Sequence, residues 1–154
     1  MSGASPLLER MDQALVESMK ARNAPRTSAL RLARAALKNR QIDKRGALED
    51  ADVLQVLGTL VKQRREAAEM FRAGNRPELA AKEEAEIGVL QEFLPQELSA
   101  EELAAAVAQA VARTGARGPA DLGKVMGALM PQVRGRADGK KVNEAVRAAL
   151  GALA

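Results

Sequence analysis

The sequence contains no cysteine, histidine, tyrosine or tryptophan, and its aromatic residues are two phenylalanines, Phe71 and Phe93. Without cysteine there is no disulfide, thiolate nucleophile or zinc–thiolate site. Without histidine there is no Ser-His dyad and no imidazole metal ligand. Any catalysis falls to carboxylates, lysine, arginine or hydroxyls, and serine and threonine together number eight. With so few aromatics, stacking of single-stranded bases on an aromatic platform is excluded as a general binding mode. The shortage of aromatic and β-branched residues also argues against an extensive sheet.

Helix formers take their place: 32 alanines and 19 leucines in 154 residues. Hydrophobic residues make up 47% and charged residues 29%, the balance of a folded chain with a modest core, in one small domain or two very small ones. Net charge is +4, compatible with an anionic partner. The opening segment MSGASPLLERMDQ has no apolar run of the signal-peptide kind. The longest uncharged stretch, Leu103 to Ala112, is too short to span a bilayer. The expectation is a cytoplasmic protein that does not engage a membrane and needs no cofactor or metal.

The punctuation predicts seven helices. Ser5-Pro6 opens the first, with Leu8, Met11, Leu15 and Met19 at helical spacing out to about Arg22. Asn23 and Pro25 restart the chain into a second, Arg26 to Gln41, and a polar loop follows from Asp43 to Leu48. The third runs from Asp50 to Ala73 with Val53, Leu57, Leu60, Val61, Ala68 and Phe71 on one face, and the fourth from Pro77 to Phe93. Ser99-Ala100-Glu101-Glu102 reads as a capping box before an alanine-rich fifth helix that ends near Gly115. Pro119 opens the sixth, ended by Pro131, and Asp138 or Gly139 opens the seventh. Met11, Met19, Met70, Met126 and Met130 fit apolar faces as core filler. The best domain boundary is Leu94-Pro95-Gln96, giving units 1–94 and 96–154.

Charge is segregated along the chain. From Lys20 to Arg45 there are nine bases and one acid; from Glu78 to Glu102 there are eight acids and one base. A second basic zone, Leu122 to Arg147, has six bases against two acids. On the second helix Arg31, Arg34 and Lys38 fall within an arc of about 60°, a strip suited to a phosphate backbone or, more plainly, a solvated helix face. Arg64 lies on the apolar face of the third helix, and Glu83 and Glu86 on that of the fourth. Charges so placed snorkel or pair, so a structural ion pair among the three is expected; paired carboxylates for acid–base work are the sharper alternative. The segment Gly135–Lys141 fails the phosphate-loop pattern, its glycines one residue too close and Lys141 where a hydroxyl belongs. It offers instead a helix start flanked by Arg136, Lys140 and Lys141, fit for one backbone phosphate or for nothing beyond a glycine-rich turn.

The stretches LKNRQIDKRG (Leu37–Gly46), VKQRREAAEMFRAGNRPELAAKEEAEIGVLQEFLPQELS (Val61–Ser99) and GKVMGALMPQVRGRADGKKVNEAVRAAL (Gly123–Leu150) together resemble the YqeY family. That family is the small stand-alone relative of the C-terminal tail of the B subunit of glutamyl/aspartyl-tRNA amidotransferase. The resemblance covers nearly the whole chain. It implies an all-α fold, a four-helix subdomain followed by a three-helix subdomain. It also implies an association with carbon–nitrogen ligation that uses glutamine as amide donor, and a tail that helps to hold tRNA. The chain resembles only that tail. It has no cradle-like body and no amidase signature, so no catalytic residue is assigned and catalysis by this chain alone is not expected.

Three functional readings stand. In the first, the chain is a tRNA-binding accessory module that grips phosphates through Arg31, Arg34, Lys38, Lys124, Arg136, Lys140 and Lys141. Its protein partner would be an amidotransferase or an aminoacyl-tRNA synthetase. In the second, it is an amidotransferase component taking direct part in tRNA-linked amidation, which needs Arg64, Glu83 and Glu86 to converge in an open pocket. In the third, it is a protein–protein adaptor without RNA, using an exposed apolar groove between the subdomains.

Overall fold

The structure, a computed structural model, describes residues 5–153. Residues 1–4, where the segment judged to lack a signal peptide begins, and residue 154 lie outside the described residues. Everything described is helix, turn or loop. The chain divides into two compact units, Met1–Pro95 and Gln96–Ala154. The first holds α1 (Pro6–Lys20), α2 (Ala24–Lys44), α3 (Asp50–Ala73) and α4 (Pro77–Gln91); the second holds α5 (Ala100–Thr114), α6 (Leu122–Val133) and α7 (Gly139–Gly151).

Polar side chains start these helices by taking up amides that have no partner within the helix. Ser5 Oγ accepts from Leu8 N–H at 3.2 Å, and Asn23 Oδ1 from Arg26 N–H at 3.2 Å. Ser99 and Glu102 form the reciprocal box, each accepting the other's N–H at 3.0 Å. At their far ends α1 and α3 close by the same two-bond motif: Asn23 N–H reaches Ser18 C=O at 2.9 Å, and Arg76 N–H reaches Phe71 C=O at 2.7 Å. The left-handed residue in these motifs is Arg22 or Asn75, with Gly115 doing the same for α5.

Several boundaries differ from the sequence expectation. Helix α2 runs past Gln41 to Lys44, because Lys44 Nζ is held by Asp52 at 2.5 Å and Arg45, not Gly46, takes the left-handed cap at φ 58°. Helix α6 continues through Pro131 to Val133. A proline one turn from the end removes a single backbone bond, too little to stop a helix whose Val125, Leu129 and Val133 are all buried. Pro119 opens a short 3-10 turn, Pro119–Asp121, in place of the start of α6. Helix α4 ends at Gln91, which lets Phe93 turn back into the core beneath the Arg10 guanidinium, 5.6 Å from its ring centroid.

In the first unit the core joins Leu7 and Met11 of α1, Leu30, Ala33 and Leu37 of α2, Val53, Leu57 and Val61 of α3, and Ile87 and Leu90 of α4. The buried stripe of α1 is Leu7, Met11, Ala14 and Ser18, one residue round from the expected one. Leu8 and Leu15 are therefore only half-buried, and Met19 is 49% exposed. Ser18 is accommodated by a hydroxyl–hydroxyl bond to Thr27 at 2.8 Å, which ties the end of α1 to the start of α2. Met70 is 75% exposed and so, like Met19, is not core filler. In the second unit Val107 and Ala110 of α5 meet Val125 and Leu129 of α6 and Val142, Val146 and Leu150 of α7. Alanines on α5 keep three short helices close enough to bury so few large side chains.

The core of the first unit reaches only Val61 on α3 and Ile87 on α4. Both helices continue beyond it as an antiparallel arm, with Ala68 and Ala80 buried between them. Small residues let the two backbones approach, but they bring little apolar area.

The α2–α3 connection has its own fastener. Asp52 accepts Lys44 Nζ and, at 2.9 Å, Glu49 N–H, and it lies 3.7 Å from Arg40. The Lys44 bond first, and then the Glu49 amide, hold its carboxyl below the ordinary carboxylate range. A lowered native pKa contributes stability above the pKa of the unfolded chain and loses it as pH falls through the native value. Asp52→Asn should therefore destabilise the protein near neutral pH, and the difference from wild type should shrink to nothing in acid. Urea unfolding at a series of pH values checks this, and a pH-independent difference would count against it.

Candidate functional site

On α2, Arg31, Arg34 and Lys38 project from one side because Leu30, Ala33 and Leu37 occupy the other. Arg31 and Lys38 are exposed. Arg34 is engaged: its Nε lies 2.6 Å from Asp12 Oδ1 on α1, and its Nη1 is buried without a partner. Arg31 Nη2 sits 3.9 Å from the Met19 sulfur, a weak contact that leaves its charge available.

In the second unit Lys124, Lys140 and Lys141 are exposed. Arg136 is half-buried and built into the backbone: its Nε donates to Gln96 C=O at 3.1 Å, and its own carbonyl accepts Leu98 N–H at 2.8 Å. Gly135, at φ 79°, makes the turn between α6 and α7. A side chain there would be strained, which accounts for a glycine at this position. Each basic set is thus gathered within its own unit, with Arg34 and Arg136 the two members already committed to protein partners.

The charge blocks of the first unit are partly neutralised by pairing across elements. Arg26 pairs with Glu92, Arg34 with Asp12, Arg40 and Lys44 with Asp52, and Arg72 with Glu84. On α2 and its cap, Arg31, Lys38 and Arg45 are left without an ion pair among the described residues. Sequence reasoning missed these acids because Asp12 and Asp52 stand on other helices and Glu92 caps α4, all outside the spacing at which a helix pairs with itself.

Arg64, Glu83 and Glu86 meet in the α3–α4 arm. Arg64 Nη1 donates to Glu83 Oε2 at 3.2 Å and pairs with Glu86 Oε2. The Arg64 side chain is 15% exposed and that of Glu86 10%. Both carboxylates turn to the same guanidinium nitrogen, while Arg64 Nε is buried without a partner. The cluster closes on itself, whereas acid–base work needs the carboxylates open to a substrate. Among the described residues no group of acidic side chains is arranged to hold a metal ion, and no helix is long and apolar enough to cross a membrane.

Comparison with known proteins adds the family described as Yqey-like protein, which matches residues 8–150. An uncharacterised protein of Schizosaccharomyces pombe is 36% identical over 85 residues, 55% of this chain and 69% of that protein. Two fungal relatives carry the name altered inheritance of mitochondria protein 41, mitochondrial. The one from Pyrenophora tritici-repentis is 25% identical over 152 residues, 95% of this chain and 82% of its own length. The one from Eremothecium gossypii is 34% identical over 101 residues, 64% of this chain and 55% of its own length.

Removing Arg64 leaves a buried carboxylate without its cation. Arg64→Ala should cost roughly 3–5 kcal/mol, against about 0.5 kcal/mol or less for the exposed neighbour Lys62→Ala. Arg64→Met combined with Glu86→Leu should recover most of that loss, since an apolar pair of similar volume needs no desolvation. Thermal and urea unfolding measure all three, and equal shifts for Arg64→Ala and Lys62→Ala would refute the assignment.

Proposed function

Because the chain belongs to the YqeY family, we propose that it is an RNA-binding accessory module whose ligand is tRNA, gripped through phosphates. The observation that carries the reading is the state of α2. On α2 and its cap, a segment with Asp43 as its one acid, Arg31, Lys38 and Arg45 remain without an ion pair, while Arg26, Arg34, Arg40 and Lys44 have one. Ordinary solvated faces mix signs. Exposed Lys124 on α6 and Lys140 and Lys141 in the first turn of α7, where the helix dipole favours an anion, supply a second set in the other unit. The likeness to the amidotransferase B-subunit tail supports tRNA as the ligand and an amidotransferase or aminoacyl-tRNA synthetase as the protein partner. On this reading a carbon–nitrogen ligase activity belongs to the partner, and the chain works wherever charged tRNA is handled. That is the cytoplasm in the simplest case, and the mitochondrion for the relatives so named.

A protein adaptor is the second reading, supported by Met70 and Leu79, exposed apolar side chains in the α3–α4 arm.

Binding through phosphates releases counterions, so affinity should fall as salt rises, by about 0.7–0.9 per contact in a log–log plot. Lys38→Ala and Lys140→Ala should each weaken binding alike for different tRNAs and lower the slope by roughly one unit. Arg34→Ala should do less, because Asp12 already holds that guanidinium. A filter-binding salt series with one tRNA, one duplex RNA and one DNA of similar length tests this. Absence of binding at low salt, or a slope unmoved by both lysine substitutions, would leave the adaptor reading in front.

A further inference from the structure

Helix α3 carries two stripes along its length. Val53, Leu57, Val61 and Ala68 form the buried one. Val56, Leu60, Gln63, Ala67 and Met70 form the other, and their spacing of four, three, four and three is that of a coiled-coil seam with one polar member. Val56, Leu60 and Ala67 are half-buried, Gln63 is exposed, and Met70 is 75% exposed. The lower half of this seam, with Ala36 of α2, floors an open groove of about 480 Å3 between α2 and α3. The upper half runs out along the α3–α4 arm, past the end of the core.

A seam of this period takes a second helix of like period. This one complements itself. Turned end over end about a two-fold axis level with Arg65, it sets Leu60 of one copy against Met70 of the other, and Gln63 against Ala67, each pair occurring twice. The most exposed apolar side chain of the arm then meets the floor of the second copy's groove.

The charges beside the seam fit the same operation. Asp43 and Gln55 line the groove together. Gln55 stands ten positions before the axis and Asn75 ten after, so the two-fold brings the second copy's Arg76 level with Asp43. Lys62 and Glu66, one turn apart on the outer flank of the seam, come beside the second copy's Glu66 and Lys62. Asp43, Lys62, Glu66 and Arg76 have no ion partner among the described residues. An axis placed by the apolar seam alone therefore gives each of these acids a base.

We propose that this face of α3 joins two copies of the chain as an antiparallel helix pair, the tip of each arm lying against the other's α2. The pairing does not depend on the RNA reading above, and it gives Met70 a partner that the single copy lacks.

Sedimentation equilibrium of the full chain, freed of nucleic acid, over a micromolar concentration series should show the mass rising toward twice that of one chain. Met70→Glu, at a position open to solvent in the single copy, should weaken association on the order of tenfold or more, with the thermal midpoint of dilute protein unchanged. Asp43→Arg and Arg76→Asp should each weaken it, and the two together should restore it, because the pair re-forms with its signs exchanged. The chain has no cysteine of its own, so Leu60→Cys mixed with Met70→Cys should form a disulfide-linked pair on mild oxidation several times faster than either variant alone. A chain that stays monomeric throughout the series overturns the proposal and leaves the seam to a helix of another protein. A pair undiminished by Met70→Glu, or one that the double charge exchange fails to restore, overturns this face and this register as the interface.

Discussion

The α3–α4 arm extends past the hydrophobic core, and a single guanidinium shared by two carboxylates sets how its helices align. Up to Val61 and Ile87 the two helices are fixed by leucines and valines from all four helices of the unit. Beyond them the fully buried apolar residues are Ala68 and Ala80, and alanine contacts specify register poorly because every alanine looks alike to its partner. Arg64 with Glu83 and Glu86 is different in kind. A slip of one residue would carry Glu86 away from its cation and leave a charge buried and unpaired. The cluster's contribution lies less in net stability, where desolvation offsets most of the attraction, than in permitting one alignment. Arg72 with Glu84 repeats the device nearer the tip, where solvent makes it weaker.

The same logic governs the first unit more widely. Bases crowd onto α2 and acids onto α4, yet the folded unit does not present a basic half and an acidic half. Arg26 reaches Glu92 on one side, Arg34 reaches Asp12 on another, and Arg40 and Lys44 reach Asp52 at the α2–α3 connection. A charge run in sequence is therefore a poor measure of surface potential; what matters is the remainder after tertiary pairing. On α2 that remainder is Arg31 and Lys38 on one stripe, Arg45 at the cap and Asp43 on another side of the helix.

Much of the fold was legible because helix ends are written in local chemistry. Ser5-Pro6, Asn23, Ser99 with Glu102, and Gly115 each act within a few residues of themselves, and each is found capping a helix. Arg64 stood out for a similar reason, since a charge on an apolar stripe must have a partner and two acids lay on the facing stripe. What escaped depends on contacts distant in sequence. The last turn of α2 is held by Asp52, eight positions past Lys44 and on another helix. The core face of α1 turns by one residue because Ser18 finds Thr27, and that exposes Met19. Pro131 was read as a stop, although a proline costs a helix little in its final turn.

The groove between α2 and α3 was invisible for a stronger reason. None of its residues is unusual alone: asparagine, glutamine and aspartate on a helix surface are ordinary. Their meaning comes from how α2 meets α3, packed closely at the Asp52 end and leaving Ala36, Val56 and Leu60 only half covered. A chain with no histidine, no cysteine and two buried or half-buried phenylalanines has little else with which to recognise a ligand. Cations alone give affinity without discrimination. Selectivity must then be built from amides, hydroxyls and carboxylates, the remaining hydrogen-bonding side chains of the sequence.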